Sequence, residues 1–207
     1  MYKIVNTRSK KLFYRLIKEG KVKEHLDLLK NHHLETYKHS LRVGLLSIDL
    51  GYENSLKDYE LKLLGYAGLL HDIGKLRIPR EILSKHASLN AEEVQIMKGH
   101  CRLGFLEAKD IRCGNVKEII NAHHEYKPCP YPRNGMDRRK GMRSRKERRG
   151  YEEMISRLAQ IVAVADIYDA LVSRRAYKPA LPKERVRRIL KKYYTGDEKY
   201  ARQILER

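Results

Sequence analysis

Apolar residues recur at three- and four-residue spacing through most of this chain, the period of an α-helix with one buried face. Between residues 9 and 31, Leu12, Leu16, Val22, Leu26 and Leu29 supply the inner face of one or two basic amphipathic helices. A second helix is expected from about Leu34 to Leu50, with Leu41, Val43, Leu45 and Ile48 turned inward. The next, roughly 56 to 71, delivers His71 and Asp72, after which Ile73 and Gly74 turn the backbone and Lys75 points back toward the pair. Asn90 starts a further helix with Glu92 and Glu93 in its first turn, and His100 falls near its far end. A helix over about 114 to 125 ends in His123 and His124. From Lys127 to Gly150 the periodicity gives way to proline, glycine and a dense basic run, which reads as a long loop inserted between helices. Helix returns at about Glu152, and its stretch LAQIVAVADIYDALV is too continuously apolar for a surface helix, which puts Asp166 inside a buried segment. Residues 181 to 206 make one or two further basic helices. Strand patterns are hard to find, and 13 Gly and 6 Pro are few for a fold of tight hairpins, so the expected class is all-α.

Composition changes this picture in two respects. The 207 residues suffice for one large domain with a real core. A net charge of +19, from 45 Lys and Arg against 26 Asp and Glu, favours encounter with anionic partners such as nucleotides, RNA or an acidic protein face. A heavily charged, heat-tolerant surface has the same composition. The basic N-terminus MYKIVNTRSKKLF is not followed by an apolar run and cleavage site, so no signal peptide is expected. The longest apolar run, LLGYAGLLHDIG, is too short to span a membrane and ends in charge. Cys101, Cys113 and Cys129 are odd in number and lack CxxC spacing, which fits reduced thiols in a cytoplasmic protein, each a filler rather than a nucleophile.

Taken singly, the candidate chemistry is weak. A His-Asp dipeptide is more often a helix cap than a ligand pair, and Glu35 and His39, four apart on one face, are the kind of pair that usually makes an exposed contact. The set as a whole is different. Five of the nine histidines, His39, His71, His100, His123 and His124, lie at helix ends or on inward faces, with Glu35, Asp72 and Asp166 as carboxylates. That exceeds the needs of one octahedral ion and suits two divalent ions sharing an Asp, whose two oxygens can bridge. Two such cations against three carboxylates leave a positive cavity suited to phosphate. The expected chemistry is hydrolysis of a phosphoester by a hydroxide held between the metals, with Asp72 at the centre and Lys75 as a point charge on the phosphoryl oxygens.

The ordered series His39, LLHDIGK, IMKGHCRLG, NAHHE, VADIYDAL and SRRAYKPAL resembles the HD domain superfamily, and specifically its HD-GYP branch of phosphodiesterases. The likeness runs from about residue 33 to the C-terminus, which leaves residues 1–32 as a helical extension and 127–150 as a basic loop insertion. The resemblance implies an all-helical bundle with a metal centre of two or three ions, usually iron or manganese, and hydrolysis of cyclic di-GMP. It implies that His39, His71, Asp72 and Asp166 hold one metal and that Asp72 bridges to a second held with His100 and His123. His124 matches the second His of the family's pair, and Glu35 matches the carboxylate that supports a third metal in some members. Lys75, Arg175 and Lys178 match substrate-binding positions.

The chain departs from the family in the stretch that names the branch. In YKPCPYPRNG, Tyr131 and Pro132 are kept, but Pro130 stands where a glycine is expected, and proline has a fixed φ and no N–H to donate. Substrate identity is the property this change bears on. Two further readings therefore stand beside a cyclic dinucleotide phosphodiesterase: an HD phosphohydrolase of another nucleotide or of RNA ends, and a non-catalytic module that binds nucleic acid or an acidic protein through residues 138–149.

Overall fold

A computed structural model describes residues 6–111, 113–131, 145–173 and 180–207. Every regular element among them is helical, as the periodicity predicts. In chain order these are α1 (Thr7–Leu16), α2 (Gly20–His32), α3 (Leu34–Glu53), α4 (Asp58–Leu70), α5 (Arg80–Leu83), α6 (Ala91–Lys98), α7 (His100–Glu107), α8 (Gly114–Ala122), α9 (Arg145–Val172), α10 (Lys183–Tyr193) and α11 (Glu198–Ile204). A 3-10 turn over Ile73–Arg77 follows α4, and another over Ala108–Asp110 follows α7. No helix among the described residues is long and apolar enough to cross a membrane.

Local chemistry explains several boundaries. Asn6 caps α1 by accepting from the Arg8 N–H. At α6 the Asn90 side chain accepts from the Glu93 N–H while the Glu93 carboxylate accepts from the Asn90 N–H, a reciprocal cap. Two boundaries differ from the sequence expectation. His100 opens α7 instead of closing α6, the break falling at Gly99, a weak helix former. The helix carrying Asp166 begins at Arg145 instead of near Glu152, so residues 145–150 of the basic run are helical and not loop. A like-charge run reads as coil, yet Arg, Lys and Glu are good helix formers, and Gly150 within the helix has open space around it.

The helices α3 and α4 form the centre. They touch backbone to backbone where Gly44 meets Gly68, since a Cβ on Gly68 would stand 3.0 Å from the Gly44 Cα. This crossing brings the early turns of α3, with His39, beside the end of α4, with His71. Helix α9 lies across both, and Leu158, Ala159 and the run Ile161 to Ala165 are fully buried there. Helices α1 and α2 cover the other side, with Leu12, Phe13, Leu16, Val22, Leu26 and Leu29 in the same apolar core.

The 3-10 turn after α4 is held against α7 by a second close approach. A Cβ at Gly74 would meet the His100 carbonyl oxygen at 2.0 Å and the Gly104 nitrogen at 2.4 Å, both backbone atoms that no rotamer can move. Gly74→Ala is therefore expected to destabilise the fold by about 3 kcal/mol, the upper part of the usual range for overpacking. Urea denaturation checks this, with a lower midpoint at unchanged slope as the expected result. A variant as stable as the parent would show that the two segments separate at little cost.

Candidate metal centre

Three of the histidines reach the centre by one device. The last carbonyls of an α-helix lack intrahelical partners, and an imidazole placed just beyond can donate to one. His71 Nδ1–H donates to the Gly68 carbonyl at 2.9 Å, His100 Nδ1–H to Met97 at 2.7 Å and His123 Nδ1–H to Ile120 at 2.5 Å, each three residues back. Because a carbonyl can only accept, each bond puts the ring proton on Nδ1 and leaves the Nε2 lone pair for the interior. His39, in mid-helix, has no free carbonyl. Its Nδ1–H donates instead to Asp169 Oδ2 at 2.6 Å, and Asp169, fully buried on α9, is held in turn by Arg42 at 2.7 and 3.0 Å and by Ser173 at 2.8 Å.

The carboxylates lie between these rings. Asp72 directs Oδ2 toward His71 Nε2 at 3.4 Å, His39 Nε2 at 3.9 Å and the Lys75 ammonium at 2.6 Å, while its Oδ1 faces His100 Nε2 at 3.4 Å. Asp166 places Oδ1 at 3.0 Å from His39 Nε2 and 3.9 Å from His71 Nε2, and Oδ2 at 3.9 Å from His124 Nδ1. Among the described residues, three overlapping groups result whose donor atoms could hold a cation: His39, His71 and Asp166; His71, Asp72 and His123; and His100, Cys101, His123 and His124. Their chemistry fits a metal. His100 Nε2 and His123 Nε2 face one another at 3.3 Å with both ring protons committed elsewhere, so two acceptors confront each other, and a shared cation satisfies both. The buried atoms His71 Nε2 and His124 Nδ1 have no hydrogen-bond partner. Such atoms cost about 1–3 kcal/mol each unless something binds them.

Burial and charge set the protonation states. Burial pushes the His100 imidazole down to about 4 and holds His123 and His124 well below the usual range, so all three rings are neutral at neutral pH. For His39 burial acts the same way, but Asp166 and Asp169 outweigh it and raise the ring to about 8. Burial alone would raise Asp72 and Asp166. Lys75 and His71 at Asp72, and His39 and Lys127 at Asp166, overcome it and keep both carboxyls well below the ordinary value.

Of the residues singled out in the sequence, His39, His71, Asp72, His100, His123, His124 and Asp166 converge here. Glu35 does not join a donor group. Its carboxylate pairs with Lys38 at 2.9 Å, though it lines, with His33, His39, Asp72, Lys75 and Lys85, a cavity of about 220 Å³ beside the centre. Arg175 and Lys178 lie outside the described residues, as do Pro132 and residues 138–144 of the basic run. Tyr131 is described, with its ring 4.5 Å from that of His124. Sequence reasoning passed over Asp169 and Arg42, and it treated Cys101 as filler. The spacing of Asp166 and Asp169, three apart and hence on one helix face, was the available signal for the former.

Comparison with known proteins agrees with the geometry. The HD domain family model matches residues 36–171, and the chain belongs to that family, near its HD-GYP branch. It is 39% identical over 155 residues to a cyclic di-GMP phosphodiesterase of Thermotoga maritima, covering 73% of this chain and 38% of that protein. A cyclic di-GMP phosphodiesterase of Pseudomonas aeruginosa is 34% identical over 146 residues, covering 69% of this chain and 32% of the relative. A 3'3'-cGAMP-specific phosphodiesterase of Vibrio cholerae is 34% identical over 157 residues, with 74% and 27% covered. This chain thus spans well under half the length of the relatives it matches.

The protonation states fix a pH dependence for the metal-free protein. A histidine whose folded pKa is depressed binds its proton more readily when unfolded, so stability falls as pH drops below about 6.5 toward the folded value. For His100 this amounts to about 2 kcal/mol between pH 7 and pH 5, and His123 and His124 add in the same direction. His39 works oppositely, contributing most below pH 6.5 and losing its contribution as pH rises through about 8. Denaturation of chelator-treated protein should show markedly lower stability at pH 5 than at pH 7. Equal stabilities would contradict the neutral assignment of the three rings.

Proposed function

We propose that this chain is a metal-dependent phosphodiesterase of cyclic dinucleotides, with cyclic di-GMP as its leading substrate. The observation that carries the reading is the division of Asp72, one oxygen toward His39 and His71 and the other toward His100. A carboxylate so placed can serve two cations at once. In this reading His39, His71, Asp72 and Asp166 hold one divalent ion, and Asp72, His100 and His123 hold a second, with His124 alongside. Glu35, on the wall of the cavity, is the carboxylate available to a third. Iron or manganese suits the mixture of imidazole and carboxylate. The domain in this reading is residues 33–207, with 1–32 as an extension whose apolar face completes the core.

Bound divalent ions supply Lewis acidity at the phosphoryl oxygens and lower the pKa of water. The chain's own residues bind and orient. Lys75, at the edge of the cavity, carries a positive charge to the place where phosphoryl oxygens arrive, and its bond to Asp72 holds it there. A cavity of about 220 Å³ is smaller than the roughly 300–1,000 Å³ that encloses a whole small ligand, so it takes the scissile phosphodiester and leaves the bases near its mouth. Arg175 and Lys178 are proposed to grip the remaining phosphate. The basic run 138–149 is proposed to meet acidic protein or nucleic acid, and unpaired Cys101, Cys113 and Cys129 suit a reducing cytoplasm.

The relatives named for cyclic di-GMP and for 3'3'-cGAMP set the panel for the test. Purified protein loaded with Mn²⁺ or Fe²⁺ is offered both cyclic dinucleotides, linear dinucleotides and RNA ends, and products are resolved by chromatography. Hydrolysis of cyclic di-GMP in preference to linear substrates is expected. Turnover of RNA ends alone would replace this reading with that of another phosphohydrolase. Asp72→Ala should lower kcat roughly a thousandfold and release most bound metal by elemental analysis. Full metal occupancy in that variant would remove Asp72 from the bridging role.

A further inference from the structure

Cys101 brings sulfur to the histidine cluster. It follows His100 in the first turn of α7 and is 4% exposed, and its Sγ lies 3.6 Å from His100 Nε2. His100 Nε2 in turn lies 3.3 Å from His123 Nε2. Bonds of about 2.0 Å to nitrogen and about 2.3 Å to sulfur, at near-tetrahedral angles, separate two nitrogens by about 3.3 Å and a nitrogen from a sulfur by about 3.5 Å. Both observed separations therefore match, to within about 0.1 Å, those of two donors on one cation. The Sγ is also 3.9 Å from His123 Nδ1, but the proton on that nitrogen goes to the Ile120 carbonyl, which leaves Nε2 as the donor atom. His124 provides an independent indication. It is 7% exposed, its Nδ1 has no hydrogen-bond partner, and its ring stands 5.0 Å from that of His100 and 4.1 Å from that of His123. One donor atom from each of His100, Cys101, His123 and His124 falls within 4.8 Å of all the others.

We propose that Cys101 Sγ is a metal ligand, joining His100, His123, His124 and the Asp72 oxygen that faces His100 at the second ion, so that a set with one thiolate takes a thiophilic divalent cation such as Zn²⁺ or Co²⁺. The inference rests on the reading of this cluster as a metal centre and sharpens it. Binding breaks the S–H bond, forms the sulfur–metal bond and releases one proton to solvent. The two sides of the centre then differ in preference. The side built from His39, His71 and Asp166 offers only nitrogen and oxygen, whereas the thiolate makes the other side softer and favours Zn²⁺ or Co²⁺ over Mn²⁺.

Chelator-treated full-length chain is titrated with Co²⁺ and followed by absorption. A sulfur-to-cobalt charge-transfer band should develop in the parent and in the Cys113→Ser, Cys129→Ser double variant, which retains Cys101 as the one remaining cysteine of the three. The band should be lost in Cys101→Ser and Cys101→Ala, with Zn²⁺ affinity lower by roughly 10- to 100-fold and Mn²⁺ affinity little changed. Circular dichroism establishes that these variants fold, and if neither does, the double variant alone decides the assignment. Co²⁺ bound without the band in the parent or the double variant overturns Cys101 as a ligand and leaves the phosphodiesterase reading intact. Persistence of the band in a folded Cys101 variant overturns it as well, and failure to bind Co²⁺ at all overturns both. The band without hydrolysis of any cyclic dinucleotide supports the ligand and overturns only the activity.

Discussion

The centre depends on carbonyl groups that helix ends leave unpaired. At the ends of α4, α6 and α8 an imidazole takes one of these carbonyls with Nδ1–H, which settles the tautomer and aims the Nε2 lone pair inward. The bond is local, so each ring is oriented by its own chain segment. Three helix C-termini then point at one place, where their partial negative charge favours a cation. The arrangement is favourable only with something electrophilic between the rings, because the donor atoms otherwise face one another as acceptors in a buried space.

His39 couples this local device to the tertiary fold. Its orientation comes from Asp169 on α9, 130 residues along the chain, and the charge of Asp169 is met by Arg42 one turn on from His39. The same helix brings Asp166 to the opposite side of the His39 ring. Helix α9 thus supplies both the carboxylate that faces the donor atoms and the one that positions a donor. Any shift of α9 against α3 disturbs the two together. The full burial of Ile161 to Ala165, one turn before Asp166, ties that register to the core.

Close backbone packing fixes the remaining distances. The meeting of Gly44 with Gly68 brings His39 and His71 to a ring separation of 5.2 Å, and the approach of Gly74 to His100 sets Asp72 beside the second group of histidines. Apolar side chains could fill either gap with similar burial but would separate the helices. Metal binding and fold stability are consequently linked, since a cation that binds the folded centre and not the dispersed residues stabilises the fold by mass action. The buried, neutral histidines are the part of the structure that gains most from that linkage.

Much of this was legible in the amino-acid sequence. Helical periodicity identified the class and most elements, and the ordered set from His39 through Asp166 named the residues that converge, because helix spacing and the cost of burying charge are properties of short segments. Boundaries at Gly99 and Arg145 were missed where propensity and a charge run gave opposing signals. What the sequence could not determine was which ring atom faces which oxygen, that Asp169 holds His39, or that Cys101 sits among the histidines. Those facts arise from the meeting of α3, α7, α8 and α9, segments far apart in the chain. Their relative placement is set by packing of the whole core, and only the folded structure decides it.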